Sequence, residues 1–274
     1  MKHRHRLLFL MAAGGGVYLS LLYINPYNGA IMLSEAVLQL SGSRGHFALG
    51  FSLSELASFA MCLLPEFLIE SYAGIMLYRH FCTASIYVFS RYPHRVKWYA
   101  REIIHLGGAV CLFNLLLLAA AMATTAVRYE LQVDRAGIML LAYHFLIHSL
   151  WIYGMALSVN LLAIYLGSGT AYALVISAQL VCIALMHLID WLVRYLDGKL
   201  TYERALIWNP VAHLVLGWHS SDMERVEVQA SFYMQMDLNG SLILFLLLGV
   251  AVSSVGALIM KKHDLLVSDL ETEG

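Results

Sequence analysis

Residues 103–127 read IIHLGGAVCLFNLLLLAAAMATTAV, and this run contains no Asp, Glu, Lys or Arg. About 20 apolar residues in helical form cover the hydrocarbon of a bilayer. The run is continuous rather than alternating, so it reads as a spanning helix and not as a barrel strand. Five further runs of this kind lie at 7–23, 53–77, 137–162, 171–193 and 238–260. The expected fold is all-α: residues 1–274 make a single transmembrane domain of six spans.

Composition agrees with that reading. Of the 274 residues, 60% are hydrophobic and 13% are charged, whereas soluble domains carry about 25% charged residues. One soluble core of this size would leave much of the apolar surface in water. The net charge of −1 gives no argument for nucleic acid as a partner. The four cysteines, Cys62, Cys82, Cys111 and Cys182, form no CxxC and read as small, reduced, buried side chains. The opening Met-Lys-His-Arg-His-Arg is followed by an apolar run that continues to Tyr23 without a clear cleavage site. It reads as a retained first span rather than a removed signal.

Lys and Arg placement sets the expected orientation. Lys2, Arg4 and Arg6 precede span one; Arg79, Arg91, Arg95, Lys97 and Arg101 lie between spans two and three; Lys261 and Lys262 follow span six. Six spans put these ten of the 17 basic residues on one side, which reads as the cytoplasm with both termini. The other seven are spread along the opposite side.

Two connections carry structure of their own. Residues 78–102, YRHFCTASIYVFSRYPHRVKWYARE, are apolar over Ala84–Phe89 and then basic and aromatic. Pro93 breaks the run, because its ring removes a donor and disfavours helix in the residue before it. The expectation is a short amphipathic helix, a turn at Tyr92-Pro93, and a basic helix entering span three. Between spans five and six, Asn209–Trp218 (NPVAHLVLGW) is too short to cross and reads as a re-entrant or surface-lying helix with Pro210 in its first turn.

Ionisable residues inside spans mark candidate pathways, because charge is expensive in lipid. Glu66 and Glu70 share a face of span two, just after Pro65. His144 and His148 share a face of span four, and His187 and Asp190 stand three apart in span five. Pairs at this spacing also suit a metal in a helical bundle. A zincin would need HExxH, and here Phe145 stands where the general base belongs. No GxxxxGK[ST], GxSxG or CxxCH occurs, so any ATP-driven work needs an engine on another chain.

With its expected six spans, short basic N-terminus, basic link SRYPHRVKWY (residues 90–99), long outer segment with short helices and MKKHD close (residues 260–264), the chain resembles the permease subunit of an ABC-2-type exporter. The similarity is to the small bacterial bacteriocin- or lantibiotic-immunity and multidrug kind. It implies a coupling helix over about Ala84–Lys97. Ser90, Arg91, Tyr92, His94, Arg95 and Lys97 would dock there on a separate ABC-type ATP-binding subunit. It also implies ATP and Mg on that partner and no cofactor in this chain. The permease would pair with a second copy or a paralogue, sit in a bacterial plasma membrane, and export an amphiphilic peptide, antibiotic or lipid-like substrate. Glu66, Glu70, His144, His148, His187 and Asp190 are the candidates for the substrate path. The same residues support two other readings: a proton-coupled secondary transporter, and an intramembrane metalloenzyme centred on His144, His148, His187 and Asp190.

Overall fold

A computed structural model describes residues 2–22, 29–42, 53–87, 95–195, 206–220 and 236–262. It is mostly helical. Four helices are long and apolar enough to cross a membrane: α6 (Arg95–Arg128), α7 (Arg135–Leu166), α8 (Ser168–Tyr195) and α9 (Leu238–Lys262). A bent pair of shorter helices makes a fifth candidate span. Their outer faces show Ile104, Leu112, Leu115, Leu185, Leu188, Leu246, Leu247, Val250 and Leu258. Apolar belts of that extent suit lipid rather than water. The chain therefore has the architecture of a helical membrane protein.

The bent pair replaces the continuous second span expected over 53–77. Its first arm is α3 (Leu53–Cys62), its second runs through α4 (Leu64–Ala73) into α5 (Met76–Tyr87), and the two arms meet at 44° beside residue 63. Pro65 sits in the first turn of α4, where a missing N–H costs nothing. A second interruption falls at Gly74–Ile75. There Asn160 of α7, itself fully buried, repairs the backbone. Its Nδ2 donates to the Ala73 carbonyl (2.8 Å), and its Oδ1 accepts from the Tyr78 N–H (3.0 Å). In lipid such a break persists only where side chains satisfy the freed groups.

The centre of the bundle is α7, whose most apolar stretch is 56% buried, against 17% for that of α9. It packs against α4, α5, α6, α8 and α9, and against α2 (Leu33–Leu40). The helix α1 (Lys2–Leu22) lies along α6. A Cβ on Gly16 would strike the Leu117 carbonyl and Ala120, so the two backbones meet through glycine, a common device where helices associate in membranes. Ser20 and Thr125 share a hydrogen bond of 2.9 Å across the same seam. Between α7 and α8 only Gly167 intervenes, at φ 78°, a conformation open to glycine without penalty. The link expected over Ala163–Thr170 is thus mostly helix.

Two short parallel ladders qualify the all-α expectation. One joins β1 (Ala30–Met32) to β2 (Glu130–Gln132); the other joins β3 (His219–Ser220) to β4 (Met236–Asp237). The first tethers α2 beside α7, helped by Asp134, whose Oδ1 accepts from the Ser34 N–H at 3.0 Å. Residues 210–218 form two 3₁₀ turns, Pro210–Leu214 and Leu216–Trp218. Asn209 caps the first, its side chain accepting from the Val211 N–H at 3.1 Å. From Val211 to Trp218 the segment is buried, packed against α7 and α8. It is a plug in the bundle rather than a helix lying on a surface.

Candidate functional site

The broken span delivers both of its carboxylates to the interior. Glu66 and Glu70 lie on one face of α4 and are 7% and 0% exposed. Glu66 meets α7, where its Oε1 lies 2.5 Å from His148 Nδ1. His148 in turn stacks on His144, one helical turn earlier, with ring centroids 3.9 Å apart and planes 9° from parallel. Glu70 meets α8, where its Oε2 accepts from Gln179 Nε2 at 2.6 Å. All five side chains are buried.

The cluster is only half satisfied. Glu66 Oε2, Glu70 Oε1, Gln179 Oε1, His148 Nε2 and both ring nitrogens of His144 have no hydrogen-bond partner among the described residues. Each unpaired buried polar group costs about 1–3 kcal/mol, and more where the solvent is hydrocarbon. A purely structural contact would not need six such atoms in one place. They form an acid–base centre able to hold and pass protons, or to receive the polar part of a solute, in the interior of the bundle.

The stack argues against a shared metal on His144 and His148. Imidazole lone pairs lie in the ring plane, and in two parallel rings they run side by side instead of converging. Among the described residues no group of three or more His, Cys, Asp or Glu is placed to hold a metal ion. His187 and Asp190 belong to α8, but their side chains lie outside what the structure describes. Gln179 is the member that sequence reasoning missed. A lone Gln in an apolar run carries no spacing signal.

Of the expected docking residues, Ser90, Arg91, Tyr92 and His94 lie outside the described residues. Arg95 and Lys97 open α6, with Arg95 half-buried and Lys97 exposed. Ala84–Tyr87 completes α5 instead of starting a separate helix. The helices that flank this link are held to each other. His80 Nδ1 on α5 lies 2.8 Å from Glu102 Oε2 on α6, and the rings of Phe81 and Trp98 sit 6.4 Å apart. At 34 residues α6 is about 51 Å long, well beyond the roughly 30 Å hydrocarbon core. Its basic first turns therefore project past the lipid.

The chain matches no family model, no curated protein and no solved structure.

Proposed function

We propose that this chain is the membrane-spanning permease subunit of an ABC-2-type exporter. It has no ATPase site of its own and is driven by a separate ATP-binding subunit that holds the ATP and Mg. In this reading α1 is the first of six spans, both termini face the cytoplasm of a bacterial cell, and a second copy or paralogue completes the transporter. The exported solute is an amphiphilic peptide, antibiotic or lipid-like molecule.

The supporting observation is the clamp between α5 and α6. A docking element transmits force only if the elements that enter and leave it move together. The His80–Glu102 contact and the Phe81–Trp98 rings join those elements next to the basic link. From α5 the connection runs through the Asn160-bridged break into α4, which carries Glu66 and Glu70. A push on the link would thus reach the buried acid–base centre along one continuous path.

The test is association. The chain purified from native membranes should bring with it a protein carrying a Walker A motif, and Arg91→Glu with Arg95→Glu should remove that protein. A complex that forms normally with both charges reversed would count against the docking role.

The Glu66–His148–His144 group favours a second reading, a proton-coupled secondary transporter. It predicts uptake or efflux driven by a pH gradient with this chain alone in liposomes. Glu66→Gln and Glu70→Gln should abolish that transport.

A further inference from the structure

A groove of about 370 Å³ opens on the outside of the bundle where α6, α7 and α9 meet. Its walls include Val96, Ala100 and Ile103 of α6, Leu150 of α7, and Leu246 and Val250 of α9. Val96, Ala100, Leu246 and Val250 are exposed, so the groove faces what surrounds the helices, which here is lipid. Tyr99, almost fully buried, and Tyr153, partly buried, line it from the bundle side.

The hydroxyls along the groove already have partners. Tyr99 donates to the Ser253 carbonyl at 3.2 Å, and Tyr153 shares a hydrogen bond of 2.8 Å with Ser253 Oγ. Ser254 donates to the Val250 carbonyl at 2.8 Å. A guest therefore meets rings and methyl groups, and a polar guest would find no unpaired hydroxyl. An acyl chain has no polar atom to satisfy and suits such a lining. The length fits as well. From Leu246 to Ala257 the groove follows α9 for about 16 Å, and one leaflet's share of the hydrocarbon core is about 15 Å.

One end of the groove is basic. The Tyr99 contact with Ser253 sets the start of α6 beside the end of α9. Exposed Lys97 stands next to Val96 of the groove wall, and exposed Lys261 lies one turn beyond Ala257 on the same side of α9. Long lysine stems run along apolar surface and carry the ammonium to the headgroup level. The single carboxylate of α6, Glu102, is held by His80 of α5, and α9 carries no carboxylate. A phosphate placed there meets positive charge from both helices.

We propose that this groove holds one acyl chain of an anionic phospholipid from the surrounding membrane, with Lys97 and Lys261 binding its phosphate. The lipid bridges α6 and α9 where the two helices reach the headgroups. The site requires only that the chain lie in a membrane, and it is separate from the acid–base centre and from any ATP-driven partner.

Native mass spectrometry of the full chain, released from nanodiscs that hold phosphatidylglycerol and phosphatidylcholine with identical acyl chains in equal amounts, counts the retained lipid. One phosphatidylglycerol per chain should survive conditions that strip phosphatidylcholine. Each lysine near a membrane surface favours anionic lipid by about fivefold, so Lys97→Gln with Lys261→Gln should lower the preference by roughly 25-fold. Ala100→Trp and Val250→Trp, at exposed positions in the groove, should each fill the space and remove the retained lipid while helical content stays unchanged. Equal retention of the two lipids by the unmutated chain, an unchanged preference in the double lysine variant, or full retention in both tryptophan variants would each overturn the proposal. So would a second copy of the chain seated on this face in place of lipid, revealed by a dimer that Val250→Trp disrupts.

Discussion

Glu66 and His148 are 82 positions apart in the chain and 2.5 Å apart in the bundle, carboxylate oxygen to imidazole nitrogen. This contact joins the broken span to the central helix α7, and it places an acid and a base where the surroundings are otherwise hydrocarbon-like. The pair is therefore both a fastening and a reactive centre, and the two roles separate under mutation.

Removing one partner strands the other. Glu66→Ala or His148→Ala should destabilise the folded chain by about 1–3 kcal/mol, the scale for leaving a buried hydrogen-bonding group without its partner. Glu66→Gln, which can still bond the ring, should cost much less while removing the acid. Unfolding in mixed detergent measures the first effect, and transport or resistance in cells measures the second. A double-variant cycle should show strong non-additivity between positions 66 and 148.

Asn160 performs a backbone repair that no apolar residue can imitate. Asn160→Leu fills similar space but leaves the Tyr78 N–H without its acceptor and the Ala73 carbonyl without its side-chain donor. A loss of about 1–3 kcal/mol is expected, with faster exchange of amides near residues 74–78. An unchanged exchange rate at Tyr78 would show that the break is satisfied in another way.

The seam between α1 and α6 depends on the absence of a side chain at Gly16. Gly16→Leu should force the helices apart and cost about 1–3 kcal/mol, as overpacking does elsewhere. Gly14 has open space at its Cβ position, so Gly14→Ala should be tolerated. Equal damage from both substitutions would argue against the close approach.

The α5–α6 clamp should matter for coupling more than for folding. His80 is largely exposed, and surface ion pairs contribute within about 1 kcal/mol. His80→Ala combined with Trp98→Ala should leave the partner ATPase bound while export falls by roughly fivefold or more, the scale of a coupling free energy of about 1 kcal/mol. Export that survives in the double variant would leave force transmission to other contacts.

Much of the architecture was legible in the sequence, because the demand for unbroken apolar helix in lipid is strict. The runs at 103–127, 137–162, 171–193 and 238–260 all fall within long helices. The first break in span two falls beside Pro65, whose ring suits the first turn of a new helix. The second break, at Gly74–Ile75, was not legible, because its stability comes from Asn160, eighty-odd positions away. Helical spacing gathered Glu66 with Glu70 and His144 with His148, since those relations are local. It did not pair Glu66 with His148 or Glu70 with Gln179, which are products of tertiary packing. The spacing of His144 and His148 also suited a metal; in the structure their rings stack with centroids 3.9 Å apart. Asn209–Trp218 was legible as too short to cross, but it was expected as a re-entrant or surface-lying helix, and its form as two buried 3₁₀ turns comes from packing against α7 and α8. The short helix α2 escaped notice because eight residues are too few for periodicity to stand out.

An ATP-binding partner can reach the basic link before α6 only if that link faces the cytosol. A single cysteine placed by Ser90→Cys, in a chain whose four native cysteines are replaced, reports this directly through a membrane-impermeant maleimide. A link on the cytosolic side gives no labelling in intact cells and full labelling once the membrane is opened. Labelling of intact cells would put the link on the exterior and contradict the docking role.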